Sequence, residues 1–120
     1  MSTLRVGIAS YEKMKQRTRA IARGELKPGP RDPKVWFPST ESMARILSSK
    51  NRMLLETIRA TAPQSLTELA ERTGREKSNL SRTLKTMQRY GLVQIPESQD
   101  RRIAPRVSYS KVEMVMEIGA

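Results

Sequence analysis

Ser78, Arg82, Lys85 and Arg89, with Asn79, Ser81 and Thr86 beside them, put hydrogen-bond donors and cations into one short stretch that contains no carboxylate. Such a set can recognise a polyanion with readable edges: Arg forks onto guanine, Asn pairs with adenine, and Lys or Arg neutralises phosphate. The intervening Leu80, Leu84 and Met87 fix the geometry. If those three are buried, a rotation of about 100° per residue places Ser78, Arg82, Lys85 and Arg89 on the opposite face, with Asn79, Ser81 and Thr86 at its flanks. A helix that is merely solvated usually mixes charge signs. The plainer use of Asn79 and Ser81 is to satisfy backbone groups near a helix start.

A helix of this kind must be held in place, and the residues before it supply the means. Ser65 followed by Glu68 is a capping pair, Leu66, Leu69 and Ala70 repeat at helical spacing, and Gly74 can leave the helix with positive φ. The second periodic segment follows within a few residues and ends at Gly91, after which Leu92 to Ile95 is a short β-prone run. Helix, turn, helix, strand is the order of a winged helix-turn-helix. In that arrangement the start of the second helix meets base edges and its remainder runs past the backbone. Ser78, Asn79 and Arg82 are therefore base-reading candidates, and Lys85 and Arg89 phosphate contacts. The segment PESQDRRIAP reads as a wing loop between strands at 92–95 and 106–109, with Arg101 and Arg102 near its tip, suited to the backbone or a narrow minor groove.

Composition supports a nucleic-acid partner. The chain of 120 residues carries 23 Lys and Arg against 12 Asp and Glu, a formal charge of +11 that phosphates would neutralise. The excess is spread over both halves, so it is not a basic tail on a neutral domain. Cys and His are both absent, which removes thiol nucleophiles, zinc fingers and the commonest general base. No cofactor, metal or catalytic constellation is expected, and GELKPGP lacks the Lys-Ser/Thr ending of a phosphate loop. No apolar run reaches the ~20 residues needed to cross a bilayer. A cytoplasmic, nucleoid-associated protein is the expectation.

Along the chain, Leu4, Val6 and Ile8 alternate as a short strand, and Ser10 offers a cap for a basic helix from Tyr11 to Arg23 with Tyr11, Met14, Thr18 and Ile21 on one stripe. Residues 25–38 hold four prolines and read as a linker. Trp36 and Phe37 at its end are expected to plug a core rather than to stack on bases. Ser39 or Thr40 caps a short helix, and a further helix spans Lys50 to Ala62, where Pro63 should push Ala62 into an extended conformation. Val112, Met114, Met116 and Ile118 alternate as a last strand, although Val112, Val115 and Met116 also satisfy helical spacing.

The resulting expectation is an α+β, mostly helical chain: an N-terminal strand–helix extension over 1–24 that serves in dimerisation, a Pro-rich linker over 25–38, and a winged helix-turn-helix domain over 39–120. In SLTELAERTG and SNLSRTLKTMQRYGLV, within a stretch from about 36 to 109, the chain resembles small prokaryotic MarR- or ArsR-like DNA-binding regulators, some of which are antitoxin-like. That resemblance implies a transcriptional regulator, a repressor that binds double-stranded DNA as a homodimer through a recognition helix at about Lys77 to Tyr90. It places Lys77, Ser78, Asn79, Ser81 and Arg82 at bases. The chain departs from the MarR pattern by carrying Arg75 and Glu76 after the turn glycine. It also lacks the long flanking helices of effector-sensing members. The alternative is an interaction module, such as an antitoxin that holds a toxin through its N-terminal helix; structured RNA fits less well, because A-form major grooves exclude a helix.

Overall fold

Serine side chains start most of the helices in the computed structural model, which describes residues 2–96 and 102–118. The hydroxyls of Ser10, Ser39, Ser48 and Ser65 accept from the amides of Lys13, Ser42, Asn51 and Glu68, at 3.2, 3.0, 3.3 and 3.1 Å. Each bond satisfies an amide that has no partner within its helix. The described elements are β1 (Thr3–Ile8), α1 (Tyr11–Ala22), β2 (Val35–Phe37), α2 (Thr40–Ile46), α3 (Ser49–Thr61), α4 (Leu66–Thr73), α5 (Lys77–Tyr90) and β3 (Lys111–Val115). The chain is thus α+β, with five helices and one small parallel sheet among its described residues.

These elements fall into two compact units, residues 1–45 with 109–120, and residues 46–108. In the second, α3, α4 and α5 enclose a core of Leu54, Leu55, Ile58, Leu69, Leu80, Leu84 and Met87, continued by Leu92 and Val93. Each such side chain contributes about 1.5–3 kcal/mol by leaving water. Gly74 closes α4 at φ 71°, a left-handed position that an L side chain adopts only with strain, and α5 begins three residues later. The other helix end breaks that rule. Ala62 is not extended as Pro63 suggests but left-handed (φ 44°, ψ 64°), the only non-glycine with positive φ among the described residues. The amide of Ala62 donates to the carbonyl of Ile58 at 2.9 Å and completes the last turn of α3.

The strands expected at 92–95 and 106–109 reduce to one antiparallel bridge, in which Gln94 and Arg106 exchange amide-to-carbonyl bonds of 2.9 and 2.8 Å. Pro96 and Pro105 have no N–H to extend the ladder on the loop side. The Arg106 guanidinium donates to the carbonyls of Pro63 and Pro105, both at 2.7 Å, tying the bridge to the α3–α4 junction.

The first unit is organised by β1, which lies in the middle of the order β2-β1-β3 and pairs in parallel with both neighbours. Alternation puts Leu4, Val6, Ile8, Val35, Phe37, Val112 and Met114 on one face and Arg5, Gly7, Trp36, Glu113 and Val115 on the other. Val6 and Phe37 are fully buried. Gly7 stands opposite Trp36, where a Cβ would come within 2.6 Å of the indole Cζ3, so only glycine admits the ring. Arg17 of α1 lies over that ring, 5.3 Å from its centroid, and binds Asp32 at 3.0 Å. The amide of Gly29 and the Arg17 guanidinium hold the Asp32 carboxyl below its ordinary range.

This division differs from the one expected from composition. Residues 35–37 are a strand rather than the end of a linker, residues 1–24 supply the central strand rather than a separable extension, and the C-terminal strand belongs to the sheet rather than to the helical domain. Phe37 is fully buried and Trp36 half-buried, and both belong to the sheet unit rather than to the core of the helical domain they were expected to plug.

Candidate nucleic-acid interface

α5 is fixed by its buried edge. Leu80, Leu84 and Met87 are at most 1% exposed, so the helix cannot rotate without uncovering them. On its outer side Lys77, Ser78, Asn79, Arg82, Lys85, Gln88 and Arg89 are all exposed. Of the residues singled out from sequence, the structure therefore brings together Lys77, Ser78, Asn79, Arg82, Lys85 and Arg89. Ser81 is half-buried at the flank and stands apart from that set. Arg102 is exposed, whereas Arg101 lies outside the described residues. Glu76 occupies the N-cap of α5 but makes no side-chain cap bond, so the first turn is preceded by a carboxylate that does not close it.

α4 is set by a tighter device. The Ser65 hydroxyl accepts from the Glu68 amide, while the Glu68 carboxylate accepts from the Gln64 amide at 2.9 Å and from Arg72 at 3.4 Å. The Gln64 amide bond, then Arg72, lower the Glu68 carboxyl below its ordinary range.

Between α3 and α5 lies a contact that the sequence reading did not include among its sites. Arg75, in the turn, donates from Nε and Nη2 to Asn79 Oδ1 at 3.1 and 2.7 Å, from Nη2 to Thr83 Oγ1 at 3.2 Å, and from Nη1 to Asn51 Oδ1 at 3.2 Å. Asn51 in turn donates from Nδ2 to the Ile46 carbonyl at 3.0 Å. The signal was available in part: Asn79 and Thr83 stand four residues apart on one side of α5, and Arg75 lies four residues before Asn79 in the turn that leads into it. α3, α4 and the turn also border a groove of about 310 Å³ lined in part by Lys50, Met53, Arg72 and Arg75. Among the described residues no group of three or more Asp, Glu, His or Cys side chains could hold a metal ion, and no helix is long and apolar enough to cross a membrane.

A helical unit that ends in a donor-bearing helix, accompanied by a small parallel sheet, is the class these elements define. The chain belongs to the HVO_A0114 family, whose profile matches residues 46–114. That match takes in the whole helical unit and reaches into β3, leaving β1, α1, β2 and all but the last residue of α2 outside it. No curated protein and no solved structure matches the chain.

Proposed function

We propose that the helical unit is a winged helix that binds double-stranded DNA, with α5 in the major groove and Arg102 on a reduced wing at the backbone or minor groove. One observation carries the reading: six exposed donors and cations on α5, Lys77, Ser78, Asn79, Arg82, Lys85 and Arg89, with no carboxylate among them. The helix N-terminus meets base edges through Ser78, Asn79 and Arg82, and Lys85 and Arg89 neutralise phosphates. The biological role that follows is transcriptional regulation, as a repressor that competes for its operator.

Two copies act together in this reading, because one small reading head gives little affinity and a two-fold operator matches a two-fold protein. The sheet offers the surface. β3 is paired on one side only, and Val112, Met114, Val115 and Met116 beside it are exposed. Antiparallel pairing of β3 with the same strand of a second copy, Met114 opposite Met114, sets Lys111 against Glu117 and Val112 against Met116. That register satisfies both charge and apolar pairing.

The test is a titration of the full chain with duplex DNA across ionic strength. Lys85 and Arg89 on α5, together with Arg102, set a slope of log K against log salt of about −2 to −3 per copy. A binding constant that does not change with salt overturns the proposal. A second reading, docking of a partner protein, is favoured by α1, which buries none of its residues and leaves Tyr11 and Ile21 exposed. Such an interface is much less sensitive to salt.

A further inference from the structure

Asn79 lies at the start of α5, where a base-reading Asn would stand, yet its oxygen is already engaged. Arginine carries five N–H donors and no acceptor, so the Asn79 atom facing Arg75 is the carbonyl oxygen and not the amide nitrogen. The Nε and Nη2 bonds, at 3.1 and 2.7 Å, fill both lone pairs of that oxygen. The guanidinium does not depend on Asn79 for its position: Thr83 on α5 and Asn51 on α3 hold it, and Asn51 is anchored to the Ile46 carbonyl. What Asn79 presents outward is therefore an NH₂ group with two donors and no acceptor.

This changes what the residue can read. The pairing of Asn with adenine needs the side chain to accept from N6 while it donates to N7. With its oxygen taken, Asn79 can make only the second of those bonds and would set an unpaired adenine N6 donor against its own N–H groups. Bases whose major-groove edges present acceptors suit it instead: guanine through N7 and O6, and thymine through O4. Resting on the DNA-binding reading above, we propose that Arg75 is a specificity-determining positioning residue. It converts Asn79 into a donor-only reader, so that the base opposite Asn79 is guanine or thymine rather than adenine.

Selection of bound duplexes from a random pool by the full-length protein tests this. Asn79→Ala locates the base pair concerned, since preference should vanish there and persist elsewhere. In the parent that position should favour guanine or thymine over adenine by about five-fold to a hundred-fold. Arg75→Leu frees the Asn79 oxygen and should move the preference at that one position to adenine. Arg75→Lys keeps the charge but cannot fork onto one oxygen, and should weaken the discrimination there. Adenine at the Asn79 position in the parent, or no position altered by Asn79→Ala, overturns the proposal while leaving DNA binding intact. Guanine or thymine retained in a folded Arg75→Leu also overturns it. Recovery of no selected sequence at all overturns the DNA-binding reading together with it. The parent and Asn79→Ala selections decide the matter even if Arg75→Leu does not fold.

Discussion

The helical unit and the sheet unit solve the burial problem to different degrees. Nine apolar side chains from Leu54 to Val93 are buried in the first, and Met53 is its one large apolar side chain left exposed among the described residues. Among its described residues the second buries only the apolar side chains of Val6, Val35 and Phe37, and leaves Tyr11, Ile21, Leu26, Val112, Met114, Val115, Met116 and Ile118 exposed. A unit whose apolar surface is already buried is free to carry a polar outside, as α5 does with Lys77, Arg82, Lys85 and Arg89. A unit with apolar residues still in water has a reason to associate. On the function proposed above, nucleic acid is bound by the first unit and self-association belongs to the second.

The contrast is broken most severely through the helical core. Leu84→Ala should cost about 2–5 kcal/mol in denaturant unfolding, because the site is closed on all sides and a cavity remains; a loss well under 1 kcal/mol would show that α5 is not packed as described. Next in size is the polar face. Arg82→Ala should lose about 1–3 kcal/mol of binding to a preferred duplex and relax base preference, whereas Lys85→Ala should weaken all duplexes alike. Titrations on matched and mismatched sites separate the two. Met114→Lys sharpens the comparison from the other side: monomer stability should change by no more than about 0.5 kcal/mol, since the residue is half exposed, while a dimer seen by light scattering should dissociate. A dimer that survives would move the interface off β3. The smallest effect is at Ala62. Replacement by Gly relieves a left-handed alanine and should raise stability by up to about 1 kcal/mol, offset in part by the greater freedom of glycine in the unfolded chain.

The helical unit was largely legible in the sequence because its signals are local. Ser65 with Glu68, Gly74, the Leu80–Leu84–Met87 spacing and Gly91 each act within one or two turns, and together they set α4 and α5. The sheet was legible only in its pieces. Alternation marked β1 and β3, but β2 is three residues between Pro33 and Pro38, too short for any period to register. Its pairing with β1 depends on Gly7 admitting Trp36, a match between positions far apart in sequence. Ala62 was misread because the preference of a residue before proline excludes the right-handed helical region without dictating an extended one, and here the helix ends in a left-handed cap. On α5 the exposed set was read from helical rotation, and Ser81, read at the flank of that face, is half-buried there. Arg75 passed as a departure from a family pattern, when its partners at 79 and 83 already marked a side-chain lock.

The central place of β1 has a kinetic consequence. Thr3 pairs with Lys111 and Val6 with Val35, so the sheet closes a loop of more than a hundred residues, while α3, α4 and α5 meet through short turns. Non-local pairing must overcome loop-closure entropy before any contact rewards it, whereas helical neighbours assemble from local contacts. The helices should therefore fold first and the sheet last, with apolar β3 in water during the interval. The only tryptophan of the chain, Trp36, sits in β2 against Gly7. Its fluorescence follows the pairing of β2 with β1, while far-ultraviolet circular dichroism follows the helices, and the delay between the two signals measures how far the sheet unit lags behind the helical one.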